Sequence, residues 1–297
     1  MSNIALKRLS QAFNAAKYIP FNYDSKIIIM SDCHRGVGNW GDNFAHNQNI
    51  YFAALSYYYE HGFTYIELGD GDELWENRYY DSIIDTYNNI FWLLSKFNEK
   101  DRLYMLYGNH DIVKRDSSFI DKVCKMENNP CDKNDITLFN DVAFYEGLIL
   151  YNTENKYKIF LTHGHQADIF NDIFWRLSRF LVRYLWGPLE LVGLKDPTSA
   201  AKNYNKRSKV ERNLIRWAKD HNQMIIAGHT HKTAFPGKGD PLYFNDGSCI
   251  HPRCITGIEI ANNEISLIKW SVQVDIKNHL YVGRTILEGP ISLKEIL

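Results

Sequence analysis

Eight side chains on five short polar stretches are of the types that hold metal ions: Asp32 and His34, Asp70, Asn109 and His110, His163, and His229 with His231. Their mixture of oxygen and imidazole nitrogen suits Mn, Fe or Zn, and the thiolates of a structural zinc knot are missing. Seven of the eight can be assigned to a two-metal centre. An aspartate such as Asp70 can bridge two cations about 4 Å apart, which lowers the pKa of a shared water and gives a hydroxide nucleophile near neutral pH. In Gly108-Asn109-His110-Asp111 an amide, an imidazole and a carboxylate stand together, so this stretch can supply a metal ligand, a proton donor and the group that orients it.

Each stretch follows a short apolar run of the kind buried on both faces of a sheet. Lys26 to Met30 precedes Asp32, Thr64 to Leu68 precedes Asp70, and Leu103 to Tyr107 precedes Asn109. Lys158 to Leu161 precedes His163, and Gln223 to Ala227 precedes His229. Helical patterns over Phe44 to His61 and Ser82 to Phe97 alternate with the first runs, which predicts an α/β fold with active groups at the carboxyl ends of its strands. Thr256 to Ile260, Asn262-Asn263 and Ile265 to Val274 predict a β-hairpin. The alternation stops between His165 and Gln223. There an aromatic segment carrying Arg176, Arg179 and Arg183 is followed by a basic helical one, which predicts a helical insertion over residues 168–222 within a single domain of residues 1–297.

With 34 basic and 35 acidic residues the chain has no field for bulk nucleic acid, and 14% aromatic residues argue against disorder. Five cysteines at irregular spacing read as free thiols in a reducing compartment, and Leu6, Leu9, Phe13 and Ala16 read as an amphipathic helix rather than a leader. A cytoplasmic location is the expectation, with the oligomeric state left open.

The ordered blocks Asp32-x-His34, Gly69-Asp70, Gly108-Asn109-His110-Asp111, His163-Gly164-His165 and Gly228-His229-Thr230-His231 resemble the calcineurin-like metallophosphoesterase family. The resemblance implies an α/β/β/α sandwich of two mixed sheets. It implies one metal on Asp32, His34, Asp70 and His231, and a second on Asp70, Asn109, His163 and His229, with manganese first and iron or zinc as alternatives. It also implies that His110 faces the scissile phosphate, that Asp111 orients its imidazole, and that the reaction is hydrolysis of a phosphate ester, diester or pyrophosphate. Asp70 followed by Glu73 and Trp75, with a helical insertion later, is similar to the UDP-2,3-diacylglucosamine hydrolase branch, although that branch carries Arg in place of His110 and Asp in place of His165.

Simpler readings stand beside these. Arg35 can clamp a phosphate or be an ordinary loop arginine. His165 is read as facing the substrate. Asp72 and Glu73 are read as supporting or capping residues rather than ligands. Cys33 turns into the core by strand alternation. The insertion is a cap over the substrate, a packing element, or a basic and aromatic contact for a membrane surface. The partner is a phosphorylated small molecule or nucleotide-linked substrate. A protein serine/threonine phosphatase and a non-enzymatic scaffold, the role of some proteins with this fold such as a retromer subunit, are the rival functions.

Overall fold

Two sheets lie face to face in a computed structural model that describes residues 2–119, 138–139, 141–186 and 204–297. The smaller holds β1 (Lys17–Phe21), β6 (Gly147–Asn152), β7 (Lys158–Thr162), β8 (Met224–Ala227) and β9 (Tyr243–Asn245), in that order. The larger runs β12 (Leu280–Ser292), β11 (Glu264–Val274), β10 (Cys254–Ala261), β2 (Ile27–Met30), β3 (Thr64–Leu68), β4 (Leu103–Leu106) and β5 (Phe144–Tyr145). Parallel and antiparallel pairs occur in both.

Strand β2 shows why the layers form. Successive side chains point to opposite faces. Ile27 and Ile29 therefore enter the core between the sheets, with Leu68, Leu106, Leu161 and Ile226, while Ile28 and Met30 join the core beneath the helices α2 (Gln48–Glu60), α3 (Tyr80–Thr86) and α4 (Asn88–Asn98). On the far side, α1 (Ser2–Ala15) and the helix Tyr204–His221 cover the smaller sheet through Leu9, Leu214 and Trp217. The fold is the α/β/β/α sandwich expected from the sequence. Among the described residues no helix is long and apolar enough to cross a membrane. Cys33, Cys249 and Cys254 are free thiols, and Cys124 and Cys131 lie outside the described residues.

Three departures from the sequence reading have physical causes. The helix expected over Ser82 to Phe97 breaks at Tyr87, whose φ of −116° and ψ of 36° leave the helical region while its buried hydroxyl donates to Asp42 at 2.5 Å. Strand β1 contains Pro20 and pairs only with β6, an edge place where a missing N–H is tolerated. The stretch taken as one insertion over 168–222 divides into two described parts, with residues 187–203 lying outside the described residues. Its first part forms short helices, Ile169–Asp172 and Trp175–Leu181, then a wide π turn, Val182–Trp186. Its last part, Tyr204–His221, is the crossover helix that parallel strands β7 and β8 require, and it belongs to the outer layer of the sandwich.

The two parts should respond differently to truncation. Trp217 is fully buried on the sheet, whereas Phe174 is 50% exposed. Denaturant unfolding should show Trp217→Ala losing about 3–5 kcal/mol and Phe174→Ala within about 0.5 kcal/mol of the parent. Equal losses would contradict this division.

Candidate metal centre

Strands β2, β3, β4, β7 and β8 end at one edge of the sandwich, and their loops are zipped together by backbone hydrogen bonds. Asp32 N–H donates to Gly69 O at 3.1 Å, His34 N–H to Asp70 O at 2.9 Å, and Gly228 N–H to His163 O at 2.9 Å. Asp32, His34, Asp70, His229 and His231 all have left-handed backbones, with φ of 53°, 49°, 50°, 67° and 51°. Non-glycine residues held there cost on the order of 1 kcal/mol or more each, and such strain concentrates at functional sites. Gly108 is required for closeness: a Cβ there would lie 2.1 Å from Asp70 Oδ1.

The carboxylates share one arrangement. Asp70 Oδ1 accepts from His110 N–H at 2.8 Å, and Asp32 Oδ2 accepts from His229 N–H at 2.9 Å and from the Ser31 hydroxyl at 2.5 Å. The other oxygen of each faces imidazole nitrogens. Asp32 Oδ1 is 3.0 Å from His231 Nε2 and 3.7 Å from His34 Nε2, while Asp70 Oδ2 is 3.1 Å from His163 Nε2 and 3.8 Å from His34 Nε2. Donor atoms of Asp32, His34 and His231 lie within 4.8 Å of one another, as do those of Asp70, His163 and His229, and those of His34, Asp70 and His110. Asp32 Oδ1, Asn109 Oδ1, His163 Nε2 and His229 Nε2 are buried without a hydrogen-bond partner. Buried polar atoms are almost always satisfied. Converging acceptors left open in this way fit divalent cations.

The rings are oriented from behind. Leu68 O lies 2.9 Å from His163 Nδ1, and Glu73 Oε2 lies 2.9 Å from His34 Nδ1, which assigns the proton to Nδ1 and leaves Nε2 free to coordinate. Without a cation the site is an ion-paired cluster. Burial would depress the His163 pKa, but the charges of Asp70 and Asp32 raise it to about 9. Burial likewise opposes the charged form of His34, and the nearby carboxylates of Asp32, Glu73 and Asp70 raise its pKa well above the ordinary value. For Asp32 and Asp70, burial is overcome by His231 and His163 and by His163 and His110, respectively, so both stay ionised.

The family model for calcineurin-like phosphoesterases matches residues 25–233, which hold all five loops. The chain belongs to this family. A calcineurin-like phosphoesterase is a metal-dependent phosphoester hydrolase, and the His and Asp groups described above are its candidate divalent-metal ligands. No curated protein sequence matches the chain. Among solved structures it is similar to Chaetomium thermophilum Vps29, at 10% identity and a TM-score of 0.41, over 89% of this chain and 96% of that one.

Within this calcineurin-like phosphoesterase the structure brings Asp32, His34, Asp70, His163, His229 and His231 to one place, and sets His110 beside them with 22% of its side chain exposed, while Asn109, the residue before His110, has its Oδ1 buried without a partner. Three expectations need correction. Asp111 does not orient His110. Its carboxylate accepts from Gly108 N–H at 2.7 Å and Gly71 N–H at 3.1 Å and pairs with Lys114 at 2.7 Å, so it ties two loops together. Glu73 takes the role instead, with Oε2 2.7 Å from His110 Nδ1. Arg35 is neither a phosphate clamp nor a surface residue. It is buried, bidentate to Glu67 at 2.7 and 2.9 Å and bonded to Asp72 at 2.7 Å, because the alternation that turns Cys33 inward carries Arg35 the same way. His165 does not line the open side of the site. It is 1% exposed, near His163 and Tyr107, with Asp172 Oδ1 3.9 Å away.

Two buried carboxyl groups were missed. Asp168 Oδ2 lies 3.6 Å from His229 Nε2 and 2.9 Å from Lys206. Asp246 Oδ1 lies 2.8 Å from the Ser31 hydroxyl oxygen, whose one proton goes to Asp32, and burial beside Asp32 raises the Asp246 pKa well above the ordinary value. Asp246 follows a strand end, which is the signal that located the ligands, but β9 is only 3 residues long. Asp168 has no such signal.

The protonated cluster and a cation compete for the same nitrogens. A raised imidazole pKa stabilises the metal-free fold below about pH 6.5, and that contribution is lost as pH rises through the His163 value of about 9. Coordination requires the proton to leave, so divalent affinity should climb from pH 6.5 to 8.5 by about tenfold per unit for each proton displaced. Over the same range the melting temperature of the metal-free protein should fall. Calorimetric titration with Zn²⁺ showing a flat affinity would contradict this protonation pattern.

Proposed function

We propose that the chain is a dinuclear phosphohydrolase acting on a phosphodiester or pyrophosphate. The observation that carries this reading is Asp70 Oδ2, placed between His34 and His163 while Asp70 Oδ1 is anchored by the His110 backbone. Asp32, His34, Asp70 and His231 would hold one cation, and Asp70, Asn109, His163 and His229 the other, with manganese the preferred ion. Such a pair supplies Lewis acidity, charge neutralisation on phosphoryl oxygens, and water of lowered pKa.

The chain's own residues supply the remainder. Glu73 draws the His110 proton to Nδ1 and its negative charge raises the imidazole pKa against the effect of burial, so the ring is held ready to donate. A proton from His110 to the departing oxygen matters most when the leaving group is a poor one, which favours diester or pyrophosphate over an activated monoester. Burial of the flanking side chains keeps these interactions in a low-dielectric setting where they are strong.

The helices Ile169–Asp172 and Trp175–Leu181 and the turn between them carry Phe170, Phe174, Leu177 and Phe180 exposed by 57, 50, 55 and 58%, alongside exposed Arg176. That surface favours a substrate with an apolar part next to its anionic one, which keeps a nucleotide-linked lipid as the specific alternative.

In a manganese-reconstituted assay the parent should hydrolyse an aryl diester and a diester with an alkoxide leaving group, Asp70→Asn should abolish both activities, and His110→Ala should lower kcat by roughly 10²–10⁴-fold on the second and by less on the first. A UDP-linked sugar lipid in the same series tests the alternative substrate. No hydrolysis of any of these, with no metal retained, would overturn the reading. Full diesterase activity in His110→Ala would remove the acid role alone.

A further inference from the structure

The face of His110 is covered by Trp75, with ring centroids 4.2 Å apart and planes at 23°. Rotation about the last side-chain bond of histidine is soft. The bond from Nδ1 to Glu73 therefore fixes one atom of the ring and leaves its plane loosely defined. The stack on the indole fixes the plane. What holds the indole becomes the question, and it is not a hydrogen bond: Trp75 Nε1 is buried and has no partner.

Trp75 is held by the inserted segment. Trp175 and Val182 pack with Trp75 and Ile112 in a small core of their own, separate from the cores between the sandwich layers. Arg183, in the π turn Val182–Trp186, donates from Nε to Trp75 O at 2.6 Å and from Nη2 to Leu74 O at 2.8 Å. Arg78 on the same loop donates to the Tyr184 hydroxyl and lies 5.8 Å from the centre of its ring. Arg115, which follows His110 on the other loop, lies 5.5 Å from the Trp175 ring centre. The inner side of the insertion thus grips both loops that shape the His110 environment. π turns inside helices frequently mark such functional places.

We infer that the insertion sets the orientation of His110, with Arg183 and Trp75 as positioning residues that act through the stacked imidazole. This rests on the proposed acid role of His110 for its catalytic consequence, but the geometric claim stands apart from it. A displacement of about 1 Å in a reacting group costs up to roughly 10²-fold in rate, so loosening the stack should lower kcat without touching the metal ligands.

The geometric claim is tested on the zinc-loaded full chain labelled with ¹³C-histidine. The His110 Hε1 resonance, assigned by its loss in His110→Ala, should carry an upfield ring-current displacement from the indole. Trp75→Ala and Arg183→Met should reduce that displacement, and Trp75→Phe should restore part of it, with the His163 and His229 resonances unmoved. A His110 resonance unchanged in Arg183→Met would overturn the inference, and so would loss of all site resonances in every variant. Against aryl diesters of rising leaving-group pKa, Arg183→Met should lose progressively more kcat at constant KM and zinc affinity, and should lose nothing further in the His110→Ala background. The same loss with every leaving group, or in that background, would overturn the catalytic part. A parent protein inactive on all diesters would remove the proposed function, leaving the resonance experiment to decide the geometry.

Discussion

Asp32 and Asp70 each divide their two oxygens between the backbone and the candidate metal site. One accepts a backbone N–H from a neighbouring loop, as Asp70 Oδ1 does from His110 and Asp32 Oδ2 from His229, and the other is left for the site. The rest of the structure depends on this division. It requires strands from both sheets to end level, loops to approach until only glycine fits at position 108, and five candidate ligand residues to hold left-handed backbones. A loop that relaxed would recover its strain and lose the open oxygen. The buried packing between the sheets opposes that relaxation.

Behind the open atoms lies a second buried charged group. Arg35, Glu67, Asp72, Lys114 and Asp111 are all buried and joined by contacts of 2.7 to 3.9 Å, among them Lys114 to Asp72 and to Asp111 at 2.7 Å. The attraction to Arg35 and Lys114 holds the Asp72 pKa at about 2 against burial. Buried ion pairs contribute little net stability compared with apolar packing, yet removing one partner strands the others at a cost of several kcal/mol. The network accordingly makes the loop geometry specific rather than the fold stable. It explains why Asp111, adjacent to His110 in sequence, serves the backbone of Gly71 and Gly108 instead.

The strands that carry ligands were legible in the sequence because they are short, fully buried and followed by polar residues, so β2, β3, β4, β7 and β8 and the hairpin β10–β11 stand close to where periodicity put them. Strands β1 and β12 were not, since one contains Pro20 and the other is largely exposed and lacks the alternating pattern. The donor types and their strand-end positions also announced the metal-facing set. Asp72 and Glu73 were legible as supporting or capping residues, but not the partners they serve, because that depends on which way a side chain leaves a strained loop. Alternation was applied to Cys33 and would have placed Arg35 correctly. No local pattern shows that Glu73 serves both His34 and His110, since that depends on two loops meeting in space.

The central claim is that Asp70 stands between two cations rather than beside one. Electron paramagnetic resonance of the Mn²⁺-loaded protein tests it most directly. A bridged pair gives an exchange-coupled multiline spectrum at two equivalents of metal, and Asp70→Asn should convert it to the spectrum of isolated ions. An uncoupled six-line signal saturating at one equivalent in the parent protein would contradict the account.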